Sequence, residues 1–112
     1  MQISTEKRRG VLVVSIFGSI TATDSAALAD DERLCGCAEK TVIDLASVDF
    51  LDSSGLGSLV KIVKKFKDAQ VPLAFSSPGP FVDKTLKMTR LDKVVAVESS
   101  IDLAVELLLK EN

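Results

Sequence analysis

The stretch Asp49-Phe50-Leu51-Asp52-Ser53-Ser54-Gly55-Leu56-Gly57 constrains this chain more than any other. An apolar run of strand type ends there, and the clearest helical pattern in the sequence begins. Two hydroxyls stand between acids and glycines at that junction. Helix starts favour such residues, because the first backbone N–H groups of a helix lack intrahelical partners. The junction therefore reads either as a helix cap alone, or as a cap that also presents a serine whose charge state can be switched.

Periodicity assigns the rest. Gln2 to Lys7 reads as a short edge strand and Arg8-Arg9-Gly10 as a turn. Val11 to Phe17 is a β-branched run, apolar nearly throughout, as expected of a strand buried on both faces. A loop follows from Gly18. Asp24 or Thr23 is placed to cap a helix running to about Leu34. Thr41 to Leu45 is the next strand. Leu56, Leu59, Val60, Val63 and Phe66 form the apolar stripe of the long helix. Lys61, Lys64 and Lys65 lie away from that stripe, and Lys67 lies close enough for its stem to snorkel along it. Leu73-Ala74-Phe75 and Val94 to Val97 are further strands. Pro80 suits a first helical position, with Phe81, Val82, Thr85, Leu86 and Met88 along one side of a short helix. A final helix carries Ile101, Leu103, Ala104, Val105, Leu107, Leu108 and Leu109. Its apolar side is wide enough to serve the core and a partner or second subunit.

Strands alternate with helices after an initial strand pair. That order predicts one α/β domain over residues 1–112, with a hairpin followed by crossover connections. The sheet is expected to be mixed and mainly parallel, with about five strands and about four α-helices packed against it.

Composition removes several functions. The 112 residues are 46% hydrophobic and 27% charged, with a formal net charge of −2, which gives no general pull toward nucleic acid or an anionic membrane. No apolar run reaches the length of a membrane span. The N-terminal segment lacks the order of a secretory signal, so a cytoplasmic location is expected. Trp and Tyr are absent, which leaves few rings for stacking on single-stranded nucleic acid. Cys35 and Cys37 make an incomplete zinc set. They read as ordinary reduced thiols, with a metal site assembled between subunits as the alternative.

There is no His in the sequence, so the commonest general base and imidazole metal ligand are both missing. Ser53 and Ser54 lack the G-x-S-x-G setting of a nucleophile, and no phosphate-binding loop is present. Asp44, Asp49 and Asp52 do not form a calcium-loop pattern. No catalytic residue, cofactor or metal is expected. A serine at a helix start is instead a substrate for modification. Phosphorylation would add about −1.5 to −2 charges beside Asp49 and Asp52 and would penalise a docked partner.

These residues together resemble the STAS domains, and among them the bacterial anti-sigma factor antagonists. The resemblance is carried by the Val11–Phe17 strand ending in Gly18 and by Val42-Ile43-Asp44-Leu45. It continues through Phe50 to Gly57, the Ser77-Pro78 loop, and the approach from Leu91 to Val94. It implies a partner-switching protein, not an enzyme. The unphosphorylated form would bind an anti-sigma factor that is also a serine kinase of the histidine-kinase-like ATPase type, and so release a sigma factor. Phosphorylation on Ser53 (runner-up Ser54) would end binding, and a serine phosphatase would restore it. The implied partner-binding residues are Thr21, Asp24, Asp52, Ser53, Ser54, Gly55, Leu56 and Gly57. Thr21 stands where the family commonly has an acid. The protein is expected as a monomer or weak dimer. The second reading is a STAS scaffold or regulatory subunit in a stress-sensing or lipid-transport complex.

Overall fold

A computed structural model describes residues 1–34 and 39–110. Cys35 and Cys37 lie outside the described residues. The strands are β1 (Gln2–Arg8), β2 (Val11–Phe17), β3 (Thr41–Ser47), β4 (Leu73–Ser76) and β5 (Ala96–Glu98). The α-helices are α1 (Ala22–Ala29), α2 (Ser53–Ala69), α3 (Pro80–Met88) and α4 (Ile101–Leu109). The mixed α/β architecture expected from the sequence is therefore observed, with five strands and four α-helices among the described residues.

β1 and β2 form a hairpin through Arg9 and Gly10, whose φ angles of 53° and 84° are both positive. A two-residue turn of this hand matches the twist of the flanking strands, and glycine takes its second position without a steric penalty. The sheet order is β1-β2-β3-β4-β5. β1 is antiparallel to β2, and every later neighbour pair is parallel. Each crossover steps one strand in the same direction. Because such crossovers are right-handed, three successive steps place α1, α2 and α3 on one face of the sheet. α4 covers the other face, packed against β2, β3 and β4.

Alternation along β2 splits its residues between two cores, which is why the run is apolar throughout. Val14 and Ile16 pack with Leu28 of α1, Leu59, Ile62 and Phe66 of α2, and Val82 and Leu86 of α3. Val11 and Val13 pack with Val42, Ala74, Ala104, Val105 and Leu108 under α4. Between the paired residues Asp44 of β3 and Ser76 of β4, the Ser76 hydroxyl donates to Asp44 Oδ1 at 2.9 Å, satisfying a buried carboxylate oxygen.

Several sequence expectations shift in phase. The buried stripe of α2 is Gly55, Ser58, Leu59, Ile62, Val63 and Phe66, so Ile62 replaces Val60, which faces water. Gly55 and Ser58 are not apolar bulk, so hydrophobic periodicity overlooked the side on which the helix meets the β2–α1 loop. Lys65, not Lys67, reaches inward: its Nζ donates to the Ala29 carbonyl at the end of α1. α1 begins at Ala22 with Thr21 as N-cap, earlier than Thr23 or Asp24, and it ends at Ala29. A separate 3₁₀ turn covers Glu32–Leu34. The last strand is Ala96–Glu98, while Val95 plugs the core from a turn. On α3, Val82 and Leu86 are buried, whereas Phe81 and Met88 are exposed.

Phe66 is almost fully buried at the centre of the α1–α3 core. Phe66→Ala should lower unfolding free energy by about 3–5 kcal/mol, from lost transfer energy plus a cavity. Urea denaturation read by far-ultraviolet circular dichroism measures this directly.

Candidate functional site

The site is built where two helices begin side by side. After β2 and β3 the parallel pairing continues into the loops. Gly18 N–H donates to the Ser47 carbonyl and Ile20 N–H to the Phe50 carbonyl, both at 2.9 Å. Asp52 N–H returns to the Ile20 carbonyl at 3.2 Å, and Ile20 and Leu51 form an isolated parallel bridge. The Ser19 hydroxyl donates to Asp49 Oδ1 at 3.0 Å. These bonds hold the β2–α1 and β3–α2 loops together over their length.

Asp52 is the N-cap of α2 and accepts the Gly55 N–H on Oδ1 at 2.8 Å. Its other oxygen, Oδ2, accepts the Ala22 N–H of α1 at 3.1 Å. One carboxylate thus caps two helices. Each helix start exposes unpaired N–H donors and the positive end of a helix dipole, so a single negative charge serves both. Thr21 caps α1 through its backbone, its carbonyl accepting the N–H groups of Asp24 and Ser25 at 2.9 Å.

Gly55 makes this convergence possible. A Cβ at that position would lie 2.1 Å from the Ile20 carbonyl oxygen, far inside contact distance. The glycine is buried, and its part in the site is to let α2 approach the neighbouring loop. Ser58 follows on the same buried side, its hydroxyl donating to the Gly55 carbonyl at 2.6 Å.

Ser53 and Ser54 occupy the first two positions of α2 and are both exposed. They differ in surroundings. Ser54 lines a groove of about 270 Å³ between α1 and α2, with Ser25, Ala26, Gly57 and Lys61 among its walls. Ser53 stands outside that groove. Leu56, Gly57, Thr21 and Asp24 are half-buried around them. The structure therefore gathers all eight residues named from the sequence into one region. The carboxylates considered for a cation do not converge: Asp44 pairs with Ser76, Asp49 with Ser19, and Asp52 with two helix N-termini.

Groups with clear pKa shifts lie on other elements. The Asp31 carboxyl is held below its ordinary value chiefly by the hydrogen bond from the Arg33 side chain, against a smaller opposing effect of burial. The Lys87 ammonium is raised by its hydrogen bond to Asp83.

Sequence reasoning missed two features. The Asp52–Ala22 bond spans thirty residues and has no local signal. The ring of Phe50 stacks on Phe81 at the start of α3, with centroids 5.4 Å apart and planes 25° from parallel. From the sequence Phe50 and Leu51 are both expected to run inward, but only Leu51 is buried, and Phe50 is 44% exposed.

A family model described as the STAS domain matches residues 2–104. The chain belongs to the STAS domain family. Over 103 residues it is 31% identical to the anti-sigma F factor antagonist of Paenibacillus polymyxa, covering 87% of this chain and 86% of that protein. It is also similar to the crystal structure of an anti-sigma factor antagonist from Mycobacterium paratuberculosis. That match has a TM-score of 0.85 and 27% identity, and covers 97% of this chain and 94% of the other. The anti-sigma factor antagonist SpoIIAA in its unphosphorylated form shares the fold with a TM-score of 0.77 at 15% identity, over 96% of each chain. Among the described residues no helix is long and apolar enough to cross a membrane.

Two positions test the geometry. Asp52→Ala should cost about 2–4 kcal/mol, since it removes charge-assisted bonds at two helix N-termini. Asp52→Asn, with one acceptor oxygen, should recover roughly half of that loss. Gly55→Ala should destabilise by about 1–3 kcal/mol or more, because the methyl must displace the Ile20 backbone. Thermal and urea unfolding of the three variants provide the comparison.

Proposed function

We propose that this protein is an anti-sigma factor antagonist controlled by phosphorylation of Ser53. The unphosphorylated form binds an anti-sigma factor that is also a serine kinase of the histidine-kinase-like ATPase type, and binding releases a sigma factor in the cytoplasm. Phosphate on Ser53 ends the interaction, and a serine phosphatase restores it. The observation that carries this reading is the placement of Ser53: an exposed hydroxyl at the first position of α2, beside a carboxylate occupied with capping two helices.

Ser53 supports this role better than Ser54, because Ser54 turns toward the α1–α2 groove while Ser53 is open to an approaching kinase. The chain contains no His, and the hydrogen bonds at this helix start run through Asp52 and the backbone. Such a hydroxyl suits the chemistry of another protein's active site better than a reaction of its own. The added phosphate, at about −1.5 to −2 charges, meets favourable helix N–H groups but also the nearby Asp49 and Asp52. It would therefore extend into whatever surface is docked there. A desolvation and repulsion penalty of about 3 kcal/mol weakens binding by roughly a hundredfold. Thr21 contributes a hydroxyl where relatives commonly carry an acid, which bears on which partner is accepted.

The test uses purified histidine-kinase-like ATPases encoded by the same genome, presented to the wild-type protein and its variants. One should bind with ATP absent and, with ATP, add a single phosphate to Ser53, located by mass spectrometry. Ser53→Ala should stay bound in the presence of ATP, and Ser53→Asp should bind about a hundredfold more weakly. Phosphate mapped to another residue, together with wild-type affinity for Ser53→Asp, would sink the switch and favour a STAS scaffold in another complex.

A further inference from the structure

We propose that the groove between α3 and the free edge of β5 receives an extended basic segment of a partner protein, which adds to the sheet as a further strand. β5 is the last strand in the sheet order and has a neighbour, β4, on one side only. The Ser77 N–H donates to the Glu98 carbonyl at 2.8 Å, so the backbone groups of Glu98 face β4. Beside a parallel neighbour, successive residues of a strand turn their N–H and C=O groups to opposite sides. Those of Val97 therefore point away from β4, toward the open edge. An unpaired edge is a template for another strand, in which the main chain supplies affinity and alternate side chains supply specificity.

The edge opens onto a groove of about 550 Å³. Asp83 and Lys87 line it from α3, Val97 and Glu98 from β5, and Asp92 from the 3₁₀ turn Leu91–Lys93. Phe81 and Asp83 stand about 200° apart around α3 at 3.6 residues per turn, so the groove lies on the side of that helix away from Phe50 and Ser53. The other free edge of the sheet differs. β1 carries Glu6, Lys7 and Arg8, all held in ion pairs, and such charges guard an edge against strand addition. β5, Ala96-Val97-Glu98, carries neither Lys nor Pro.

Charge identifies the occupant. The carboxylates of Asp83, Asp92 and Glu98 line the groove against the single ammonium of Lys87, which Asp83 holds at 2.9 Å. Asp92 and Glu98 belong to none of the ion pairs found among the described residues. Asp92 Oδ1 is buried and accepts no hydrogen bond among those residues. A buried acceptor without a donor is costly, and a charged donor satisfies it best. Side chains of a strand alternate between the two faces of the sheet. Val97 packs toward the core under α1–α3 and Ala96 toward the core under α4, so Glu98 shares the α4 face. A strand added beside β5 thus presents alternate residues to Asp83 and Asp92 on one face and to Glu98 on the other, and Lys or Arg matches both. The same acids repel nucleic acid and anionic bilayers.

The experiment titrates the isotope-labelled protein with a short synthetic peptide alternating Arg and Val, read by backbone amide shifts and hydrogen exchange. The Val97 amide should shift, and its exchange should slow at least tenfold. Replacing Arg by Glu in the peptide should weaken binding at least tenfold. So should Pro at two successive central positions, which removes a main-chain donor in either register. Glu98→Lys and Asp92→Asn, each checked for a wild-type melting profile, should raise the Kd of the Arg peptide at least fivefold. The proposal is overturned if the Val97 amide does not respond, if the Arg and Glu peptides bind equally, or if the Pro peptide binds as well as its parent. It is equally overturned if spermidine or magnesium alone reproduces the shifts at the affinity of the Arg peptide, which makes the groove a small-cation site. Slowing of Val97 exchange by raised protein concentration alone, with no response to the peptide, overturns it in favour of an interface between copies of this chain.

Discussion

A single carboxylate, that of Asp52, joins the two helix N-termini on which the site depends. Its oxygens accept N–H groups from α2 and α1. Neither bond could form unless the loops lay within hydrogen-bonding distance. Two further contacts bring them there: the Asp52 N–H bond to the Ile20 carbonyl, and the absence of a side chain on Gly55 where that carbonyl rests. The capping residue, the glycine and the pairing of residues 18–20 with the β3–α2 loop are thus parts of one arrangement. Ser53 is placed by it without taking part in it.

The topology explains why these helix N-termini meet at all. β2 and β3 are parallel neighbours, and each is followed by a helix on the same face of the sheet. The loops leaving their C-terminal ends must therefore run side by side, and the first turns of α1 and α2 emerge together. In parallel sheets this edge is the usual location of functional residues, because the strand ends and helix dipoles converge there. α4 lies on the other face, where its core with β2, β3 and β4 stabilises the sheet independently of the Ser53 region.

The cap bonds bypass the Ser53 hydroxyl, so a change of charge on that side chain leaves the donors and acceptors of the helix start in place. A surface of this kind is suited to reporting charge rather than reshaping itself. The stacked phenylalanines extend the exposed apolar surface from the β3–α2 loop to the start of α3.

Local pattern determined much of this protein. The β-branched runs, the Arg9-Gly10 turn and the long amphipathic stripe were legible because each depends on neighbours within a few residues. So was the helix start at Asp52, since cap chemistry is local, and the Asp-Ser-Ser-Gly-Leu-Gly core pointed to the family. The sequence could not show the phase of α2, where Ile62 turns inward and Val60 outward, because Gly55 and Ser58 mark the buried side by their small size. The inward reach of Lys65 was likewise decided by the position of the α1 C-terminus. The second bond of Asp52, the Ile20 contact and the Phe50–Phe81 stack join residues roughly thirty positions apart. Only the tertiary structure could decide them, because chain folding, and not residue preference, brings such pairs within a few ångströms.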